Sequence, residues 1–223
     1  MTVSSNNRSI AGFEGARERM VQSQLLDRGV HDPRVIRAMR KVPRHLFVEP
    51  ALVNRAYDDD PLPIGAKQTI SQPYIVGYML QALRLKGTER VLEIGTGSAY
   101  QTALLAELCA NVFSVEKLRS LAVQARTILD GLDYYNVALH MGDGTLGWSE
   151  HAPYDAIVVA AGAPNVPAPL AQQLAAGGRL IIPIGGDQSQ TLKLTCRTPT
   201  GLEETDLGGC RFVKLLGRYG WPG

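Results

Sequence analysis

Cysteine is scarce in this chain: Cys109, Cys196 and Cys210 are odd in number, far apart and outside any C-x-x-C spacing. That argues against a disulfide framework and against a zinc site. Long apolar runs are missing as well. None approaches the roughly 20 residues needed to cross a bilayer, and the N-terminus lacks the apolar stretch of a signal peptide. Nor does charge of one sign dominate, since 23 lysines and arginines face 21 aspartates and glutamates and the basic residues are scattered. No footprint for nucleic acid or acidic lipid follows from that pattern. These absences point to a protein of the reducing cytoplasm, with neither nucleic acid nor membrane as partner. The 223 residues supply apolar material for one sizeable core but not for two full domains.

Residues 1–15 read as a disordered extension, because residues 2–12 are rich in serine and asparagine with little to bury. Two helices are expected next: residues 17–28, stopped by Gly29, and a second opened by Asp32 as N-cap with Pro33 at its first position. Residues 58–67, D-D-D-P-L-P-I-G-A-K, carry loop chemistry and a solvated acidic run. Ser71 stands where an N-cap would, ahead of Pro73 and a third helix to about Leu85. From Arg90 the pattern becomes short apolar runs alternating with helix-length segments, at 91–94, 112–115, 137–141, 156–160 and 180–184. Such alternation implies an α/β fold with a mostly parallel, doubly wound sheet, helices covering both faces. The runs 191–197 and 211–216 have no helical stretch between them and are assigned to an antiparallel edge. Residues 16–87 then form a helical substrate and lid region on a core at 88–223, and 16–223 fold as one domain.

After the first strand of that core, Gly95 and Gly97 allow a sharp turn with backbone N–H groups against a ligand, flanked by Thr96 and Ser98. A dinucleotide fingerprint would be G-x-G-x-x-G, whereas here Glu93 stands at the strand end. A carboxylate there repels a pyrophosphate and suits a cationic ligand such as S-adenosylmethionine, which has a sulfonium and no phosphate. About 20 residues on, Glu116, followed by Lys117, has the separation at which an acid meets ribose hydroxyls. The third strand ends in Gly142, Asp143 and Gly144, where the glycines permit close approach and Asp143 can accept from an adenine amino group. All lie at the carboxyl ends of successive parallel strands. The fourth strand exits through small apolar residues, A-A-G-A-P, with no group to grip a base nitrogen. That favours carboxyl or hydroxyl acceptors, of which a carboxylate needs no deprotonation. His31, His45, His140 and His151 form no metal set, and Trp148 and Trp221 are assigned to packing or rim positions.

The motifs G-A-K-Q-T-I-S-Q-P-Y at 65–74, V-L-E-I-G-T-G-S-A-Y-Q-T-A, M-G-D-G, P-Y-D-A-I-V-V-A-A and G-G-R-L-I-I-P-I-G resemble the protein-L-isoaspartate O-methyltransferase family over about residues 16–221. T-I-S-Q-P is their most specific part. The resemblance implies a Rossmann-like class I methyltransferase fold, and the chain is separately expected to be a monomer. It also implies methyl transfer from S-adenosylmethionine, leaving S-adenosylhomocysteine, to the α-carboxylate of L-isoaspartyl residues in damaged proteins and peptides. The ester closes to a succinimide, whose hydrolysis returns some aspartate. By the same resemblance Ser71 is the active-site serine, orienting the carboxylate rather than attacking, although the residues alone also allow it a purely capping role. Gln68, Thr69 and Ile70 would form a lid over the cofactor. Two positions depart from the family: Ala99 replaces a third glycine, and Lys214 stands where proline is usual. A small-molecule O-methyltransferase, a non-catalytic nucleoside-binding module and an NAD-dependent dehydrogenase remain open readings.

Overall fold

The computed structural model describes residues 12–222, so the expectation for the N-terminal extension lies almost wholly outside the described residues. Helix α1 (Glu14–Met20) continues through one π turn and one 3-10 turn to Arg28. Gly29 ends it in the left-handed conformation, φ 88°. Helix α2 (Pro33–Lys41) follows, with Asp32 accepting from the Arg34 and Val35 amides as expected of an N-cap. Two 3-10 turns (Arg44–Phe47 and Pro50–Arg55) lead to a small hairpin of β1 (Leu62–Pro63) and β2 (Thr69–Ile70). Helix α3 (Pro73–Leu83) then ends at Arg84, φ 51°. The core alternates as β3 (Arg90–Ile94), α4 (Tyr100–Leu108), β4 (Asn111–Glu116), α5 (Arg119–Gly131), β5 (Val137–Met141), β6 (Tyr154–Val159), α6 (Ala168–Gln173) and β7 (Leu174–Gly185), closed by β8 (Gln190–Thr198) and β9 (Gly201–Cys210).

The seven-stranded sheet has the order β5-β4-β3-β6-β7-β8-β9. Pairing is parallel from β5 through β7 and antiparallel from β7 to β9. Chain order reverses at β3, which lies between β4 and β6, and this switch point opens the crevice where doubly wound sheets bind ligands. Strand alternation divides the core. Val91, Val112, Val158 and Ile181 pack with α1–α5, whereas Leu92, Val115, Ile157 and Leu180 face a second cluster. The second face carries less helix: Leu170 of α6 shares it with Tyr154, Phe113 and the half-buried Trp148. Phe113 meets Trp148 edge-on, ring centroids 6.0 Å apart, so aromatic area substitutes there for helices.

The edge differs from expectation. On its outer side β8 pairs antiparallel with β9, not with residues 211–216. Strand β9, G-L-E-E-T-D-L-G-G-C, is polar and mostly exposed, so it lacks the apolar signal by which strands are read. Its charges suit an unpaired edge. The apolar residues 211–216 instead return to the end of β6. The Gly162 amide donates to the Val213 carbonyl at 2.7 Å and the Leu215 amide to the Gly162 carbonyl at 2.8 Å. Among the described residues no helix is long and apolar enough to cross a membrane.

Candidate active site

The β3–α4 turn forms the floor of a cavity at the switch point. Gly95, Gly97 and Ala99 all have left-handed backbone, φ 92°, 54° and 68°. Such angles suit glycine and strain alanine, so the Ala99 position is conformationally demanding. The Ala99 methyl is fully buried and does not line the cavity, so it packs into protein. Glu116 closes the turn from β4: its Oε2 accepts from the Gly97 amide and its Oε1 from the Leu118 amide, each at 2.9 Å. A carboxylate offers about four acceptor positions, so these two bonds leave acceptor capacity on a residue that lines the cavity.

The opposite wall is the β1–β2 hairpin. Its tight turn, with Gly65, Ala66 and Lys67 all at positive φ, is held by Gln68 N donating to Gly65 O at 2.8 Å and Ile64 N to Gln68 O at 3.0 Å. Residues 58–67 are thus an ordered support for Gln68, Thr69, Ile70 and Ser71, all of which line the cavity. Ser71 does not cap α3. The N-cap is Gln72, no side chain caps the helix start, and Ser71 faces the cavity instead. Asp59 anchors this corner, accepting from Gln72 Nε2 at 2.7 Å, from Arg28, and from the Tyr74 amide at 3.4 Å. The acidic run is therefore a structural brace at its middle residue.

Beneath the hairpin lies Arg44, fully buried. Its guanidinium donates to Ala56 O at 2.7 Å and to Ser71 O at 2.8 Å and lies 4.8 Å from the centroid of the Tyr100 ring. Burial lowers its pKa to about 10, still far above neutral, so it is a cation fixed under the Ser71 loop. It was not legible in the sequence. A buried arginine gives no pattern signal, since arginines are nearly always exposed.

Gly95, Thr96, Gly97, Ser98, Glu116, Lys117 and Gly144 join the hairpin residues around the cavity. Three expected residues do not. Glu93 is fully buried below the turn, where Thr102 Oγ1, Ser114 Oγ and Gln101 Nε2 donate to its carboxyl at 2.6, 2.7 and 3.1 Å. Strand alternation turns residue 93 away from the face that Ile94 presents. Burial pushes its pKa up to about 7, against the lowering effect of those donors. Asp143 is likewise occupied. Its Oδ1 accepts from Thr145 N and Oγ1 at 2.9 and 2.7 Å, and its Oδ2 from Arg218 N at 2.8 Å. It caps a 3-10 turn and pins the C-terminal segment. Gly142 packs against His140, whose Nε2 would lie 2.8 Å from an added Cβ. The segment 213–216 also lines the cavity, beside Ala160 and Ala161, and was not legible as a wall from the sequence. Its apolar run reads equally well as a strand.

The model of the family described as protein-L-isoaspartate(D-aspartate) O-methyltransferase matches residues 16–220. A protein-L-isoaspartate O-methyltransferase of Syntrophus aciditrophicus (strain SB) is 59% identical over 95% of this chain and 98% of its own length. One of Geobacter metallireducens (strain ATCC 53774 / DSM 7210 / GS-15) is 56% identical over 94% and 97%. Among solved structures, a protein-L-isoaspartate O-methyltransferase superposes with a TM-score of 0.83 at 29% identity, over 92% of this chain and 67% of that one. A Plasmodium falciparum chain assigned to the same activity, solved with S-adenosyl-L-homocysteine, gives 0.77 at 26%, over 91% and 97%. With the glycine turn, Glu116 and the Ser71 hairpin around one cavity, this chain belongs to the protein-L-isoaspartate(D-aspartate) O-methyltransferase family.

Proposed function

We propose that the chain repairs damaged proteins by methylating the α-carboxylate of L-isoaspartyl residues, with S-adenosylmethionine as donor. The observation that carries this reading is one cavity lined both by the Gly95–Glu116 turn and by the Ser71 hairpin. The donor, when bound, supplies an electrophilic methyl group on a sulfonium. Glu116 has the free acceptor positions that ribose hydroxyls need. Gly95, Thr96, Gly97, Ser98, Lys117 and Gly144 line the same half of the cleft, and Gln68, Thr69 and Ile70 close it. Glu93 and Asp143 support this half from behind: Glu93 through the turn, and Asp143 through the 3-10 turn and the C-terminal segment.

On the acceptor side Ser71 Oγ orients the carboxylate, and Arg44 fixes the Ser71 peptide from below. The acceptor is already anionic at neutral pH, so no general base is required. Glu93, the carboxyl with a pKa near 7, lies outside the cavity and takes no proton from substrate. Alignment and exclusion of water are the protein's contribution. Three free cysteines fit a reducing cytoplasm, and we assign the enzyme there as a monomer, which sedimentation at working concentration checks.

Incubation with labelled methyl donor, an isoaspartyl peptide and its aspartyl twin tests the reading. Base-labile label is expected on the isoaspartyl peptide, and label on neither peptide or equally on both overturns it. Ser71→Ala is expected to lower turnover about 10- to 100-fold, the value of a hydrogen bond to a charged group. Its melting temperature should stay within about 2 °C of wild type, because Ser71 caps nothing. Unchanged turnover would leave the serine without a role in orienting the acceptor.

A further inference from the structure

We propose that Lys214, opposed by Asp187, is a specificity-determining residue that selects isoaspartyl peptides carrying a carboxylate next to the reacting residue. The proposal rests on the acceptor assigned above. Lys214 lines the same cavity as Ser71. Its backbone pairs with Gly162 just past β6, next to Ala161, which also lines the cavity. The cavity's other lysine, Lys117, lies next to Glu116 and already has a partner, donating to Leu216 O at 3.3 Å. Of the two lysines, Lys214 is the one paired with an exposed carboxylate.

Its surroundings suit exchange of partners. The Lys214 ammonium lies 3.2 Å from Asp187, and the two side chains are 44% and 56% exposed. An ion pair so exposed contributes little net stability, so a substrate carboxylate can displace Asp187 at small cost. The ammonium also lies 5.3 Å from the centroid of the Trp221 ring. That ring is itself fixed, because its Nε1 donates to Gly162 O at 3.0 Å, and a fixed aromatic face limits where the ammonium moves. Pairing with the acceptor carboxylate itself would draw electron density from the attacking oxygen. The productive partner is therefore a second carboxylate, on a residue flanking the isoaspartate.

Rim charges act on encounter rate and salt dependence more than on chemistry, and the test uses that. Two isoaspartyl peptides differing only by Glu or Gln beside the isoaspartate, placed on either side in turn, are compared by kcat/KM with the full-length wild type, Lys214→Met, Lys214→Arg and Asp187→Asn. Wild type should prefer a Glu peptide about two- to fivefold at low ionic strength, the worth of an exposed pair, and lose the preference near 1 M salt. Lys214→Met should abolish it, Lys214→Arg keep it, and Asp187→Asn enlarge it by removing the competing anion. Opposite directions for the two partners are not expected of a pair that only braces the fold, because breaking it from either side would then act alike. Equal use of the peptides by wild type, or a preference that persists in Lys214→Met, overturns the proposal. Failure to methylate any isoaspartyl peptide overturns the function itself and is read separately.

Discussion

Glu93 lies beneath the site without lining it. Its carboxyl takes three hydrogen bonds from Gln101, Thr102 and Ser114, and Ser114 also meets Thr96 of the turn at 2.6 Å. Burial raises its pKa from the usual 4.5 to about 7. Between those values the folded protein holds a proton that the unfolded chain has released. The contribution is therefore complete below pH 4.5 and is lost as pH rises through about 7. His45 works in the opposite direction, because burial and then Arg17 lower its pKa. The comparison is therefore with Glu93→Gln, in which His45 is unchanged. Urea unfolding from pH 5 to pH 8 should show wild type losing about 2 kcal/mol more than the variant. Parallel stability profiles would rule out this titration.

Elements carry the next level of control, and the turn from β3 into α4 shows it best. Ala99 has φ 68° in a fully buried position. Ala99→Gly relieves about 1 kcal/mol of left-handed strain but gives up unfolded-state restriction and a buried methyl of similar size. We expect stability within about 1 kcal/mol of wild type by urea denaturation and an S-adenosylhomocysteine affinity within about twofold by calorimetry. A tenfold gain in affinity would mean that the methyl reaches the ligand after all. The turn was legible from sequence because Gly95 and Gly97 sit at a strand end. The brace by Asp59 was not, since a carboxylate in an acidic loop looks the same whether solvated or bound to Arg28 and Gln72.

At the scale of the molecule, the cavity is assembled from three distant parts of the chain: the hairpin near residue 70, the turns at 95–98 and 116–118, and the strap at 213–216. The last residues secure that strap. Trp221 N donates to Leu215 O at 2.8 Å, Arg218 N to Asp143 at 2.8 Å and Tyr219 N to Thr145 Oγ1 at 3.1 Å. Removing residues 217–223 should weaken S-adenosylhomocysteine binding at least about tenfold, several lost hydrogen bonds at about 1 kcal/mol each. Cooperative unfolding should persist, because the sheet and its helices remain. An unchanged affinity in calorimetry would show that the strap holds itself.

The sequence by itself determined the alternating α/β core, its switch point, the glycine turn with Glu116 and the specific hairpin motif, because these depend on periodicity and on local backbone demands that residue order carries. Only the tertiary structure decided the rest. Glu93 faces inward, Asp143 is spent on the C-terminal segment, β9 takes the edge, and Arg44 and residues 213–216 complete the site. Each of these is a choice among partners far apart in the chain, settled by burial and hydrogen-bond satisfaction rather than by local pattern.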